Sequence, residues 1–145
     1  MLIENKANVA VTGSFTSLNT KNMQGEVVSA ASPPPILFRK YIPLPIVSKG
    51  SPLGINTKIE EYKKVFKIAS GNRLFFHTYG IIRSLRQKME NKDKRKFHFN
   101  GVDDILLKYG KEPFENMVNH VWQDIMNMCY YKPVDDMLLI GIEVI

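Results

Sequence analysis

Three histidines, one cysteine and two adjacent acidic pairs are the residues of this chain whose types suit catalysis or metal binding. His77, His98 and His120 have no metal-ligand spacing to one another, and no paired Cys/His pattern of a zinc site accompanies them. His120 and Asp124 stand four apart and can pair on the polar face of a helix. Cys129 completes a nucleophile set in residue type only. On a helix, positions 120 and 129 are about two and a half turns apart and point to opposite sides. Cys129 reads better as a small buried apolar residue. Asp103-Asp104 and Asp135-Asp136 are explained locally, the first pair as helix N-caps and the second as a turn before a final strand. The nine glycines are scattered, and none forms a phosphate-cradling loop. These residues predict no catalytic site, no metal and no cofactor, and hence a protein that is not an enzyme.

The densest charge cluster is Arg83, Arg86, Lys88, Lys92, Lys94, Arg95 and Lys96, interrupted by Glu90 and Asp93. Arg83 and Arg86, three apart, can share a helix face. The cations behind them suit a helix C-terminus, where they also complement its dipole. Phe97 and Phe99 adjoin the run, so stacking on single-stranded nucleic acid is one use of it. The seven basic residues form the candidate polyanion-binding site. Tyr41-Ile42-Pro43-Leu44 fits a tyrosine-based sorting motif, but Tyr62 and Tyr79 open further matches, so the pattern is unspecific.

Charge is unevenly placed along the 145 residues. The net charge is +6, and positions 1–56 carry +3, 57–96 carry +8 and 97–145 carry −5. Three readings are open: the two halves face each other in one fold, the basic part meets a polyanion, or it meets the acidic part of the next copy. Hydrophobic residues at 44% and charged residues at 23% exclude a wholly disordered, collagenous or disulfide-scaffold protein. A lone cysteine points to a reducing, intracellular setting or the inside of a virion. The longest apolar run, 137–145, is far short of the roughly 20 residues that span a bilayer, and the start lacks a signal-peptide pattern.

The elements that must position these groups divide at about residue 56. Positions 1–56 hold six of the eight prolines and three of the fifteen aromatics. Ser29 to Pro35 cannot be helical. Ile36, Leu37, Phe38, Tyr41, Ile42, Leu44, Ile46 and Val47 are too apolar to stay free in water. The segment reads as an extended arm that docks those eight residues on its own domain or a neighbour. Pro43 and Pro45 mark an edge strand or ribbon, and 8–12 and 26–28 suit short strands.

Positions 57–145 read as the compact domain. Thr57 has capping-box spacing to Glu60, and Ile59, Tyr62, Phe66 and Ala69 recur as on a helix. A second helix is predicted over about 75–91, and a strand at 96–99 turning at Asn100-Gly101. Helices then follow at about 102–109 and 113–131. Met137 to Ile145 suits a strand covered on both faces.

The expected fold is therefore α+β, with three to four helices packed on a small sheet and an extended Pro-rich N-terminal arm over 1–56. The expected function is a non-enzymatic structural or assembly protein of a larger complex, such as a viral or phage particle, whose partners are copies of itself or neighbouring subunits. The alternative is a nucleic-acid-binding regulator or ribonucleoprotein subunit acting through 83–96.

Overall fold

The computed structural model describes residues 9–55, 62–88 and 100–145, the side chains of positions 87, 88 and 100 excepted. Seven strands and three helices lie among the described residues. They fall into two compact units: Met1–Pro34 with Pro45–Ala69, and Pro35–Leu44 with Ser70–Ile145.

The first unit is built on an antiparallel sheet in the order β1-β2-β5. β1 is Gly13–Asn19, β2 is Gln24–Ala30 and β5 is Lys64–Lys67. β1 and β2 pair from Gly13 with Ala30 to Asn19 with Gln24. The Asn19 side-chain oxygen caps the turn by accepting from the amides of Lys21 and Asn22 at 3.0 and 3.3 Å. Gly25 lies opposite Phe66, and a Cβ at Gly25 would come within 2.2 Å of that ring. Glycine is therefore what lets the aromatic lie across the strand pair. The helix expected from Thr57 onward is overturned. Its first residues, 57–61, lie outside the described ones, and Lys64–Lys67 is a strand. Ile59, Tyr62, Phe66 and Ala69 have a helix's spacing by chance; pairing with β2 decides the backbone.

The second unit holds a four-stranded antiparallel sheet in the order β4-β3-β6-β7. β3 is Ile36–Arg39, β4 Ile42–Pro45, β6 Arg73–His77 and β7 Leu139–Glu143. The helices are α1 (Tyr79–Lys88), α2 (Asn100–Tyr109) and α3 (Phe114–Met128). Ile36, Phe38 and Phe75 from the sheet share one core with Ile81 and Leu85 of α1, Val102, Ile105 and Leu106 of α2, and Met117, Val121 and Ile125 of α3. Each such side chain contributes about 1.5–3 kcal/mol on full burial.

The expected Pro-rich arm does not exist as an arm. Its apolar centre is β3, an inner strand, with Ile36, Leu37 and Phe38 only 1%, 4% and 3% exposed. Pro33 to Pro35 are buried as well. The segment finds its groove within its own fold, and the architecture is strand-rich. Pro43 and Pro45 do sit in the edge strand β4, where a missing amide costs no ladder bond.

The helix expected over 75–91 divides into β6 and α1. The aromatic run Leu74-Phe75-Phe76 pairs with β3 and β7, and the helix starts only after Thr78. α2 and α3 agree with the spacing of their apolar residues, although Asn100-Gly101 opens α2 and is no hairpin turn. β7 is the other edge strand and is not covered on both faces: Ile140 and Ile142 are 44% and 38% exposed. The strand proposed at 96–99 lies outside the described residues.

Candidate functional site

A closely bonded polar junction lies where β6 passes into α1 beside the loop that leads to β7. Thr78 joins the two elements. Its amide donates to the Leu138 carbonyl at 3.2 Å, and the Leu138 amide donates to Thr78 Oγ1 at 3.1 Å. The Thr78 hydroxyl donates to the Asp136 carbonyl at 3.2 Å. Two residues on, Gly80, the second residue of α1, has no room for a side chain: a Cβ would lie 1.9 Å from the Asp136 carbonyl oxygen. The Val134 amide donates to Oγ of the fully buried Ser84 at 3.1 Å. The loop is thus stitched to the first two turns of α1.

This stitching fixes the acidic pair. Arg83 Nη1 meets Asp135 Oδ2 at 2.9 Å, and Asp135 Oδ1 accepts the Asp136 amide at 2.9 Å. Both Asp135 oxygens are therefore engaged, while Asp136 is exposed at the corner. One residue before Thr78, His77 is buried with no hydrogen-bond partner on either ring nitrogen among the described residues. Burial lowers its pKa to about 4, so it is neutral at pH 7.

A second polar cluster links α2 and α3. Lys108 Nζ and the Tyr109 hydroxyl both reach Asp124 Oδ2, at 2.7 and 2.8 Å. The hydrogen bond from Lys108 is the main cause holding the Asp124 carboxyl below its ordinary range, with that from Tyr109 adding to it. His120 pairs with Glu112, at 2.6 Å, and not with Asp124. Cys129 is buried, as expected of a small core residue. Asp103 has its pKa raised to about 6, first by burial and then by Asp104.

The residues singled out in the sequence scatter. Arg83 and Arg86 are exposed on α1, and Arg83 is the partner of Asp135. Lys88 ends α1, its side chain undescribed. Lys92, Lys94, Arg95 and Lys96 lie outside the described residues. Of the docking set, Ile36, Leu37, Phe38 and Ile46 are buried, while Tyr41, Ile42, Leu44 and Val47 are exposed. Thr78 and Gly80 were missed as partners of Asp135-Asp136. The one local signal was a glycine placed just inside a helix start.

The family model described as stage II sporulation protein E (SpoIIE) matches residues 1–145. No curated protein matches the sequence. The fold is similar to the manganese-presoaked phosphatase domain of the cell fate determinant SpoIIE from Bacillus subtilis, with TM-score 0.65 and 14% identity over 92% of this chain and 56% of that one. It is similar to the RsbU and RsbW domains of Rv1364c from Mycobacterium tuberculosis, with TM-score 0.69 and 16% identity over 97% of this chain and 38% of that one. It is similar to the PPM Ser-Thr phosphatase MsPP from Mycobacterium smegmatis, with TM-score 0.61 and 12% identity over 99% of this chain and 68% of that one. The chain thus spans little more than half the length of the Bacillus domain. The architecture, two antiparallel sheets with helices, is that of the PP2C phosphatases.

These matches overturn the expected function. A whole-length match to the stage II sporulation protein E family, together with a fold similar to phosphatase domains, replaces the structural or assembly component of a virion, and equally the nucleic-acid-binding alternative. It also overturns the expectation of a protein that is not an enzyme. The presoaked relative raises the question of manganese. Among the described residues no three carboxylate, imidazole or thiol groups converge as a metal site would require. Asp135 is committed to Arg83, which leaves Asp136 as one exposed carboxylate. The described residues do not by themselves fit a manganese centre.

Proposed function

The chain belongs to the stage II sporulation protein E family, and on that premise we propose that it is the phosphatase-fold part of a regulatory serine/threonine protein phosphatase. The observation that carries this reading is the match of all 145 residues to that family. The fold likeness to a Ser-Thr phosphatase over 99% of the chain supports the substrate class. The reaction is hydrolysis of a phosphate monoester: water attacks phosphorus, the bond from phosphorus to the serine or threonine oxygen breaks, and that oxygen takes a proton.

The corner formed by Thr78, Gly80, Arg83, Asp135 and Asp136 is this chain's contribution to the site. Arg83 takes up the charge of Asp135 and holds it still. Thr78 and Gly80 fix the loop so that the Asp136 backbone has one position relative to the start of α1, and the exposed carboxylate extends from that anchored backbone. A carboxylate on an anchored loop serves a reaction at phosphorus better than one on a free loop.

Release of inorganic phosphate from phosphoserine and phosphothreonine peptides tests the reading, with manganese present and absent. The expected result is release above the protein-free blank from these peptides, with little from a phosphotyrosine peptide. Rates equal to the blank for every peptide would overturn it.

A further inference from the structure

A cleft of about 380 Å³ opens at the other end of the β6/β7 pair from the acidic corner, lined by Phe38, Lys40, Tyr41, Gly71, Arg73, Gly110, Lys111 and Glu143. Such a volume is within the range of sites for small organic ligands and far exceeds what a bare inorganic anion fills.

Its charges are arranged for an anion. Arg73 is wholly used in construction: Nε meets Glu143 Oε1 at 2.9 Å, Nη1 donates to the Gly110 carbonyl at 3.3 Å, and Nη2 donates to the Glu112 carbonyl at 3.0 Å. Nη1 also lies 3.1 Å from Met117 Sδ. Glu143, the cleft's carboxylate, is neutralised by that pairing. Lys40 and Lys111 remain, both exposed and neither in an ion pair among the described residues. Two cations thus flank a wall whose own charges cancel.

The backbone is committed to this shape. Lys40 and Tyr41 form the two-residue turn between β3 and β4, with φ of 49° and 65°. Neither residue is the glycine or asparagine that tolerates left-handed backbone best, so the turn carries strain, a feature that concentrates at functional sites. The turn holds the Tyr41 ring 60% exposed beside the cleft. Gly110 permits the base of the cleft, since a Cβ there would come within 2.4 Å of the Phe38 ring.

We propose that this cleft binds a small organic phosphate, a phosphate ester carrying a flat ring, with the phosphate between Lys40 and Lys111 and the ring against Tyr41. The site is separate from the acidic corner and does not depend on the phosphatase reading. Charge-assisted hydrogen bonds hold the phosphate, and stacking on an aromatic face holds the ring. A polyanion such as nucleic acid would want a continuous basic track, whereas these two lysines line one open cleft.

Isothermal titration of the full chain at low salt tests this, with adenosine 5′-monophosphate, adenosine and inorganic phosphate as the probes. The monophosphate is expected to bind at one site with a Kd of about 1 mM or tighter, and adenosine and phosphate alone each about tenfold more weakly. The double variant K40N/K111Q keeps a turn-compatible residue at position 40 and removes both charges. It is expected to melt as the parent does and to lose about tenfold in affinity for the monophosphate. D136N is expected to bind like the parent. Three results would overturn the proposal: no saturable binding of the monophosphate, affinity lost in D136N but retained in K40N/K111Q, or tighter binding by a single-stranded oligonucleotide than by the monophosphate.

Discussion

Asp103 and His77 carry opposite pH dependences, and both follow from burial. The folded pKa of Asp103, about 6, lies above its ordinary 3.8, so the fold disfavours its charged form. That penalty is absent at low pH, grows as pH rises from about 4 to 6, and is fully present at pH 7. His77 at about 4 lies below its ordinary 6.5. The unfolded chain takes up that proton first, so stability falls as pH drops from 6.5 toward 4. The two effects oppose each other across the same window. Asp103→Asn should stabilise the protein at pH 7 by about 1–2 kcal/mol, reduced for partial solvent screening. It should also leave a steeper loss of stability on acidification. Urea melts of this variant and the parent between pH 4 and 7 measure both effects. The acidic corner is equally sensitive at one residue. Gly80→Ala puts a methyl group onto the Asp136 carbonyl and should cost about 1–3 kcal/mol. Loss of the Thr78 to Asp136 bond by NMR would show that the loop has moved.

The elements divide by how local their causes are. α3 was legible because Met117, Val121 and Ile125 repeat at helical spacing and all three are fully buried. Ile125→Ala should therefore cost about 2–5 kcal/mol in a thermal or urea melt. β5 was not legible. Four residues have little periodicity of their own, and what makes Lys64–Lys67 a strand is the bare backbone of Gly25, some forty positions away in sequence. β6 and α1 were merged for a related reason: Phe75, Tyr79 and Ile82 keep a helix's spacing across the joint. The break at Thr78 comes from bonds to Leu138 and Asp136 in a distant loop. The acidic corner shared that fate. Asp135-Asp136 reads as a turn until the loop is placed against α1, and no linear pattern ties it to Thr78 and Gly80.

At the level of the molecule, the apolar residues of the first fifty positions do not form an arm, and of the eight expected to dock, Ile36, Leu37, Phe38 and Ile46 are buried while Tyr41, Ile42, Leu44 and Val47 are exposed. They supply β1 to β4, and Ile36 and Phe38 are members of the second unit's core. A chain lacking residues 1–50 should therefore fail to fold, with no cooperative melt and no dispersed amide spectrum. A folded remainder would refute the architecture. The charge asymmetry, net +8 over 57–96 against −5 over 97–145, includes pairings within the second unit such as Arg73 with Glu143 and Arg83 with Asp135.

The proposed phosphatase role depends on the Asp136 corner acting on a phosphate ester. The most direct measurement is the initial rate of phosphate release from a phosphoserine peptide, for the parent and for D136N at matched folded concentration. The predicted result is a measurable parent rate that falls about 100-fold in the variant, the scale on which a positioned proton-transferring or charge-stabilising group contributes. Equal rates for the two proteins would contradict it.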